Sequence, residues 1–374
     1  MTGCVLVGTA TQGSRPAPAA VAPFPAWANT SISAVIAHGL VPGVTTPAEF
    51  RPSDPLDGTT LNTFVTGLFR SRRLAGAWSP VNPALQSIGS LDKTFVVASG
   101  LTGSVARAVR GARAAGYHTV RGAGMEAAAR MLRLRYGFPS SEDNLEKSSR
   151  EIASRADAAY SASVVLGWQG WEPQQAKATL GMLAAIPSTV GERHAILTRA
   201  LAKLGMPYVW GGESDTAEGS AYAFGPQAHG GYDCSGFVWR VVALDPSSPV
   251  GALARIGGRT TFEIARTTPT TLRIPYARLQ PGDLMLIGDN GPASTNDQMG
   301  HMGIYLGNNL MIHSSSQGVM VSATGDGWYR ERFAFGKSVV PPGAAGRRLA
   351  SVASIAAEVP AGVDPTAGQN DVGP

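Results

Sequence analysis

Residues 232–237 read Tyr232-Asp233-Cys234-Ser235-Gly236-Phe237, and this stretch decides how the C-terminal half of the chain is expected to fold. Cys234 is one of only two cysteines among 374 residues, the other being Cys4. Phe237-Val238 and Val241-Val242 follow with the spacing of a buried helix that begins at the cysteine. The N–H groups and the dipole at a helix N-terminus favour a thiolate. Cys234 is therefore a candidate nucleophile.

Two histidines downstream are candidates for the base that a thiol nucleophile needs. His301 directly precedes an expected strand, which would hold its imidazole rigidly. His313 lies on the next expected strand, and two hairpin-linked strands can place such residues side by side. Taken alone, a cysteine is more often a buried structural thiol and a histidine near a turn a surface residue. The combination indicates a hydrolase or an acyl-transfer enzyme.

Short β-prone runs separated by Gly, Asn and Asp predict an antiparallel sheet after the cysteine. These runs are residues 283–287, 302–306, 310–313 and 319–322. Before the cysteine, a helix is expected to begin at Gly191 and to stop at Gly205, since Pro207 prevents its continuation. A domain is therefore predicted over residues 191–342.

The rest of the chain is divided by composition and apolar spacing. Residues 26–165 carry apolar residues at helical spacing and are predicted to form a helical domain. Residues 166–190 are predicted to be a linker. Residues 1–25 are expected to be a leader or a disordered start, because a short apolar stretch runs into Pro and Ala. Residues 343–374, rich in Ala, Gly and Pro, are expected to form a disordered tail.

The composition argues against several classes of function. The formal charge is +5, but no dense block of Lys and Arg occurs, so nucleic-acid binding is not expected. Two cysteines cannot build a disulfide framework, and the Cys and His spacing has no zinc pattern, so no metal site is predicted. No apolar run reaches about 18 residues, the length of a transmembrane helix. A membrane span is therefore not expected.

Five blocks of the sequence, taken together, closely resemble the NlpC-type cell-wall cysteine peptidases, and they occur in that family's order. They are Pro207-Tyr208-Val209-Trp210-Gly211-Gly212, Asp233-Cys234-Ser235-Gly236-Phe237, Leu279-Gln280-Pro281-Gly282-Asp283-Leu284, His301-Met302-Gly303-Ile304-Tyr305-Leu306-Gly307 and Ile312-His313. The match covers roughly residues 190–340. The resemblance implies an α+β, papain-like domain, in which an N-terminal helix carrying the cysteine packs on an antiparallel sheet. This domain would follow an all-α N-terminal domain.

The resemblance also implies a role for individual residues. Carried over by position, the catalytic set is Cys234 as nucleophile, His301 as general base and His313 as the residue that orients the base. Tyr208 matches the family tyrosine near the oxyanion site. Asp233 and Ser235 match residues that in some members contact the amino end of the bound peptide, although Asp233 is also placed to cap the helix. The implied substrate is a peptidoglycan stem peptide, commonly cut between D-glutamate and diaminopimelate, and no cofactor is implied.

The helical region resembles, over about forty-five residues, one surface-layer-homology repeat. Such repeats are helical hairpins that, in groups of three, bind secondary polymers of bacterial walls. The resemblance rests on Ala26-Trp27, residues 32–39, Phe50-Arg51-Pro52 and residues 60–69. A second copy is expected over residues 104–134. A wall polymer is thus an implied partner, although Thr60-Leu61-Asn62 stands where that family places a basic and an acidic residue.

Three hypotheses of function follow. The leading one is a secreted or wall-associated bacterial endopeptidase that hydrolyses a stem-peptide amide through a thioester intermediate. The second is a catalytically silent, wall-binding scaffold, against which the intact Cys234, His301 and His313 argue. The third keeps the thiol chemistry but makes the protein a papain-like amidase or acyltransferase on another substrate. The products of the reaction distinguish the first hypothesis from the third.

Overall fold

A computed structural model describes residues 25–340, apart from residues 72, 75, 120–121, 218–225 and 246–250. Cys4, the expected tail and all but the last residue of the expected leader lie outside the described residues. Within the described ranges, no helix is both long enough and apolar enough to cross a membrane.

The described chain up to residue 190 is built mainly from helices. They are α1 (Asn29–Ala37), α2 (Pro47–Phe50), α3 (Gly58–Arg70), α4 (Ile88–Ala98), α5 (Thr102–Ala114), α6 (Ala123–Met131), α7 (Arg155–Gly167) and α8 (Trp171–Ala184). Helix α8 lies within the predicted linker and packs along α5. At Gly111 of α5, an added Cβ would lie 1.9 Å from the carbonyl oxygen of Ala184. The lack of a side chain at Gly111 therefore allows the two helices to pack closely.

Three extended segments, distant in sequence, meet in a closed ring of backbone hydrogen bonds. Leu56 N–H donates to Ala153 at 2.7 Å, Ala153 N–H to Gln86 at 2.9 Å, and Gln86 N–H to Leu56 at 2.8 Å. All three residues are buried. Because buried backbone groups are costly when they lack partners, each segment depends on the other two. We call these the ring segments.

Each ring segment leads directly into a helix through a side chain that caps it. Asp57 caps α3, Ser87 caps α4 and Ser154 caps α7, each accepting a hydrogen bond from the N–H three residues ahead. At α7 the cap is reciprocal, because the Asp157 carboxylate accepts from the Ser154 N–H at 2.7 Å. The helices thus begin where the ring ends, and local sequence sets both boundaries.

The ring segments show which helices occupy equivalent places in the helical part. This grouping differs from the predicted second repeat over residues 104–134. Residues 104–134 hold α5 and α6, and the third ring segment comes only after them, at Ala153. Helix α1 precedes the ring segment at Leu56, which leads into the capped helix α3. In the same order, α6 precedes the ring segment at Ala153, which leads into the capped helix α7. Helix α1 packs on α7, and α6 packs on α4. Apolar spacing identifies each helix, but not the helix with which it forms a hairpin.

The chain from residue 191 onward combines helices with an antiparallel sheet. Its helices are α9 (Gly191–Ala202), α10 (Cys234–Trp239), α11 (Ala252–Ile256), α12 (Thr261–Arg266) and α13 (Gly327–Arg332). Its strands are β1 (Glu213–Ser214), β2 (Gly231–Tyr232), β3 (Leu284–Ile287), β4 (His301–Gly307), β5 (Leu310–Ser315), β6 (Gly318–Ala323) and β7 (Phe333–Lys337). The main sheet has the order β6-β5-β4-β3-β7, and β1 pairs only with β2. The four predicted runs coincide with β3 to β6.

Helix α10, which carries the cysteine, packs against β4 and β5. The predicted α+β fold, with a cysteine-bearing helix on an antiparallel sheet after a helical region, is therefore confirmed. Strand β7 escaped prediction because Gly336 and Lys337 interrupt its apolar pattern. Helices α6 and α8 contact β6, so the helical part packs directly against the sheet.

Replacing Ser154 by Ala is expected to lower the free energy of unfolding by about 1 kcal/mol. The Ser154 hydroxyl accepts from the Asp157 N–H and donates to the Asp157 carboxylate, and both of these bonds are lost, whereas the bond from the Ser154 N–H remains. Ser154→Asp, which keeps an acceptor, is expected to recover most of that loss. Urea unfolding of the three proteins measures the effect. An alanine variant as stable as the wild type would contradict the role given to this cap.

Candidate active site

Cys234 is the first residue of α10, and its side chain is half-buried. The preceding Asp233 is the N-cap, and its carboxylate accepts a hydrogen bond from the Gly236 N–H. A π-helical turn, Arg240–Leu244, continues the helix. The thiol therefore lies at the end of a helical segment where backbone N–H groups and the dipole favour negative charge.

The hydroxyl of Thr261 lies next to the Cys234 sulfur. Its Oγ1 lies 3.8 Å from the Cys234 Sγ, within hydrogen-bonding range for sulfur. Thr261 is buried at the start of α12, where Thr260 and Glu263 form a capping box. The rigid start of α12 thus holds a hydroxyl beside the thiol.

His301 and His313 are brought together by the β4–β5 hairpin. The Nε2 of His301 lies 2.9 Å from the Nδ1 of His313, and the Nε2 of His313 lies 2.9 Å from the Ser322 Oγ. Both imidazoles are buried. When His313 accepts through Nδ1, His301 donates through Nε2 and keeps on its Nδ1 the lone pair that can take a proton.

Gly303 leaves space for two side chains of the neighbouring strand β5. A Cβ placed at Gly303 would lie 2.6 Å from the Cγ of Met311 and 2.8 Å from the Cβ of His313. Both contacts are too short, so a side chain at this position would push β5 away. The glycine in the sequence His301-Met302-Gly303 therefore allows the strand that carries His313 to lie close to β4.

The surroundings of His313 keep its imidazole neutral. Burial, followed by the charge of His301, lowers the pKa of His313 well below its ordinary value of 6.5. Tyr329 of α13 packs over both rings, with its centroid 6.1 Å from that of His301 and 5.2 Å from that of His313. At neutral pH His313 therefore acts on His301 through a neutral hydrogen bond and not through a charge.

Asp233 and Ser235, predicted to contact the amino end of a substrate, are both bonded to Arg259. This buried guanidinium donates to the Ser235 Oγ at 2.9 Å and to the two Asp233 carboxylate oxygens at 3.2 and 3.3 Å. It also pairs with Glu213 at 2.5 Å; burial raises the pKa of that carboxyl, while Arg259 opposes the change. Asp233 is thus a helix cap and an ion-pair partner, while contact with a substrate stays a prediction for both residues.

Tyr208 lies in a segment that runs beside the residues leading into the cysteine. Val209 N–H donates to the Tyr232 carbonyl at 3.2 Å, and Tyr232 N–H donates to Pro207 at 3.0 Å. On its other side the same Tyr232 carbonyl accepts from the Ser314 hydroxyl at 2.7 Å. Tyr208 is therefore held next to the nucleophile's own strand, and its side chain is half-buried.

Thr261, Arg259 and Tyr329 belong to the site but do not follow from the sequence reasoning. Thr260 and Glu263 have the spacing of a capping box, which could have revealed the start of α12. No local pattern marks Arg259, because its bonded partners Ser235 and Gly211 lie 24 and 48 residues away. Its role becomes visible only in the folded chain.

Comparison with known proteins gives a family match for this part of the chain. The sequence model of the NlpC/P60 family matches residues 205–336. The probable peptidoglycan endopeptidase LytE of Bacillus subtilis is 29% identical over 140 residues, which are 37% of this chain and 32% of LytE. A probable endopeptidase of Mycobacterium tuberculosis is 36% identical over 136 residues, which are 35% of this chain and 26% of that protein. The chain thus spans a third or less of the length of these relatives.

A search of solved structures matches this chain to an NlpC/P60 family protein from Bacillus cereus. It is 22% identical, the match covers 42% of either chain, and the TM-score is 0.30.

The free energy of unfolding is expected to decrease as the pH is lowered below 6.5, the ordinary pKa of a histidine such as His313. The lowered pKa means that the unfolded chain binds a proton that the folded chain does not, so this contribution is present above 6.5 and is lost as the pH falls. For one group the slope is at most about 1.4 kcal/mol per pH unit. His313→Asn should show a shallower slope in urea unfolding between about pH 5 and about pH 8. Equal slopes for both proteins would contradict this account.

Proposed function

We propose that the protein is a cysteine endopeptidase that hydrolyses peptidoglycan stem peptides, starting from the match of the NlpC/P60 family model to residues 205–336. One observation carries the proposal: a half-buried thiol at a helix N-terminus belongs to a helix packed on the two strands that hold a hydrogen-bonded histidine pair. This arrangement has the parts of a thiol hydrolase, namely a nucleophile, a base and a group that orients the base.

In the proposed reaction, His301 takes the thiol proton as the Cys234 sulfur attacks the carbonyl carbon of the amide. His301 then gives this proton to the leaving nitrogen, the C–N bond breaks, and an acyl thioester forms. Water, losing a proton to His301, attacks the thioester carbonyl, the C–S bond breaks, and a carboxylic acid is released. His301 then returns the proton to the Cys234 sulfur. His313 holds His301 in position throughout.

The oxyanion of each tetrahedral intermediate needs hydrogen-bond donors that are already in place. We assign this role to the Cys234 backbone N–H and to Tyr208, whose segment is bonded to Tyr232. Thr261 lies on the sulfur's side of the site and keeps the thiol oriented. Preorganised donors of this kind contribute roughly 3 kcal/mol each to transition-state stabilisation.

The substrate proposed is the stem-peptide amide between D-glutamate and diaminopimelate. Support comes from the family resemblance and from LytE, whose name describes a peptidoglycan endopeptidase. A substrate in the cell wall places the protein outside the cytoplasm, either secreted or at the wall. Binding of a wall polymer by the helical part stays a prediction.

The geometry of this site also bears on the two alternatives, the silent scaffold and the amidase or acyltransferase. A silent scaffold has no use for two buried, mutually bonded imidazoles on the strands against which the cysteine helix packs. An amidase or acyltransferase would use Cys234 and His301 in the same way, and only its products would differ. We therefore place the endopeptidase first.

With a muropeptide of known composition, the wild type is expected to release two fragments whose masses sum to the substrate plus one water. Cys234→Ala and Cys234→Ser should lower the rate by at least about 1,000-fold, because no thioester forms. Mass spectrometry identifies the bond that is cut. Equal release by wild type and Cys234→Ala would reject the proposed function. Acyl transfer to an acceptor other than water would favour the third hypothesis.

His313→Ala is expected to lower kcat by roughly 100-fold or more, because His301 loses the partner that orients it. His313→Asn should retain more activity, since an amide can still accept a hydrogen bond at this site. Steady-state kinetics of both variants test the role. Activity in His313→Ala equal to that of wild type would remove His313 from the proposed mechanism.

A further inference from the structure

We infer that the helical part of the chain completes the active site, because Arg130 and Asp143 position residues 205–210, the segment that contains Tyr208. The inference rests on the proposed function of Tyr208 and extends it to the helical part. Both side chains act as positioning residues through the backbone, one at each end of the segment.

Asp143 holds the C-terminal end of the segment. It lies in a short 3-10 turn between α6 and α7, and its side chain is 1% exposed. Its Oδ2 accepts a hydrogen bond from the Trp210 N–H at 2.8 Å. Its backbone carbonyl lies 3.0 Å from the Nε2 of His229, on the stretch that leads to the cysteine. One residue of the helical part thus contacts both the segment that contains Tyr208 and the stretch that leads to Cys234.

Arg130 holds the N-terminal end. This residue of α6 is fully buried, and its Nη2 donates to the Gly205 carbonyl at 2.9 Å. Its Nη1 donates to the Gln317 carbonyl in the β5–β6 turn, close in sequence to His313. Glu146 and Glu126 pair with the same guanidinium at 2.9 and 3.3 Å, which offsets the cost of burying the charge.

The charges of Asp143 and Arg130 indicate that these side chains fix the position of the segment and do not only fill space. Burying a carboxylate and a guanidinium costs free energy, and apolar side chains would join two surfaces at lower cost. Charged groups instead form short, directional hydrogen bonds to single backbone atoms. Gly205 and Trp210 are therefore fixed in position, and Tyr208 lies between them.

Catalysis is sensitive to such positioning. A misplacement of about 1 Å in a catalytic group can cost about 100-fold in rate. The segment pairs with Tyr232 along one side, and backbone bonds to Val319 of β6 hold Gly205 and Met206. The helical part adds a clamp, namely the bond to the Gly205 carbonyl and the bond from the Trp210 N–H, one at each end. Loss of the clamp is therefore expected to affect the chemical step more than substrate binding.

Asp143→Ala is expected to lower kcat by at least about tenfold while KM changes by less than about threefold, since Tyr208 acts on the transition state. Asp143→Asn, whose amide oxygen can accept from Trp210, should recover most of the rate. Alkylation of Cys234 by iodoacetamide, which forms no oxyanion, should proceed at the wild-type rate in both variants. Asn308→Gly is the matched control. It removes a hydrogen bond from the sheet to Met182 of the helical part, at a position with φ of 52° that suits glycine.

Amide hydrogen exchange gives a readout that does not depend on activity. Exchange across residues 205–210 should be at least about tenfold faster in Asp143→Ala than in wild type, and unchanged in Asn308→Gly. Wild-type exchange in Asp143→Ala, or an equal loss of kcat in Asn308→Gly, would overturn the inference. Faster exchange in Asp143→Ala together with an inactive wild type would reject the proposed function and leave the clamp standing.

Discussion

The backbone of Tyr232 joins the three pieces from which the site is made. Its N–H and carbonyl are bonded to the segment that carries Tyr208, and the carbonyl also accepts from Ser314, next to His313 on β5. Cys234 follows two residues later. Because these bonds are short and mostly buried, the nucleophile, the histidine strand and the Tyr208 segment cannot shift independently.

The sequence predicted the sheet and the cysteine helix because their signals are local. Residues 302–306 and 310–313 are short β-prone runs separated by Gly and Asn, a pattern that favours a hairpin, and Asp233 marks a helix start. The predicted linker rests on Trp168, Trp171 and Pro173, whereas the structure there holds α8, which buries Leu180 and Leu183 on one face. Its partner α5 is distant in sequence, and composition alone does not show that two such helices meet.

The same division holds within the candidate site. His301 and His313 could be placed together because one hairpin links them, and Gly303 leaves the space. Arg259 and Asp143 could not be placed, since each bonds to atoms that only the folded chain brings near. The sequence thus predicts contacts between elements that are neighbours along the chain, but not contacts between segments that are far apart in sequence.

The ring of Leu56, Gln86 and Ala153 limits how this protein could have been assembled or could be shortened. Each segment supplies one donor and one acceptor to the others, so no single hairpin is self-sufficient, and excising one opens the circle for the remaining two. Removal of any one segment would leave buried backbone groups of the other two without partners. A shortened version of the helical part therefore has to keep all three segments.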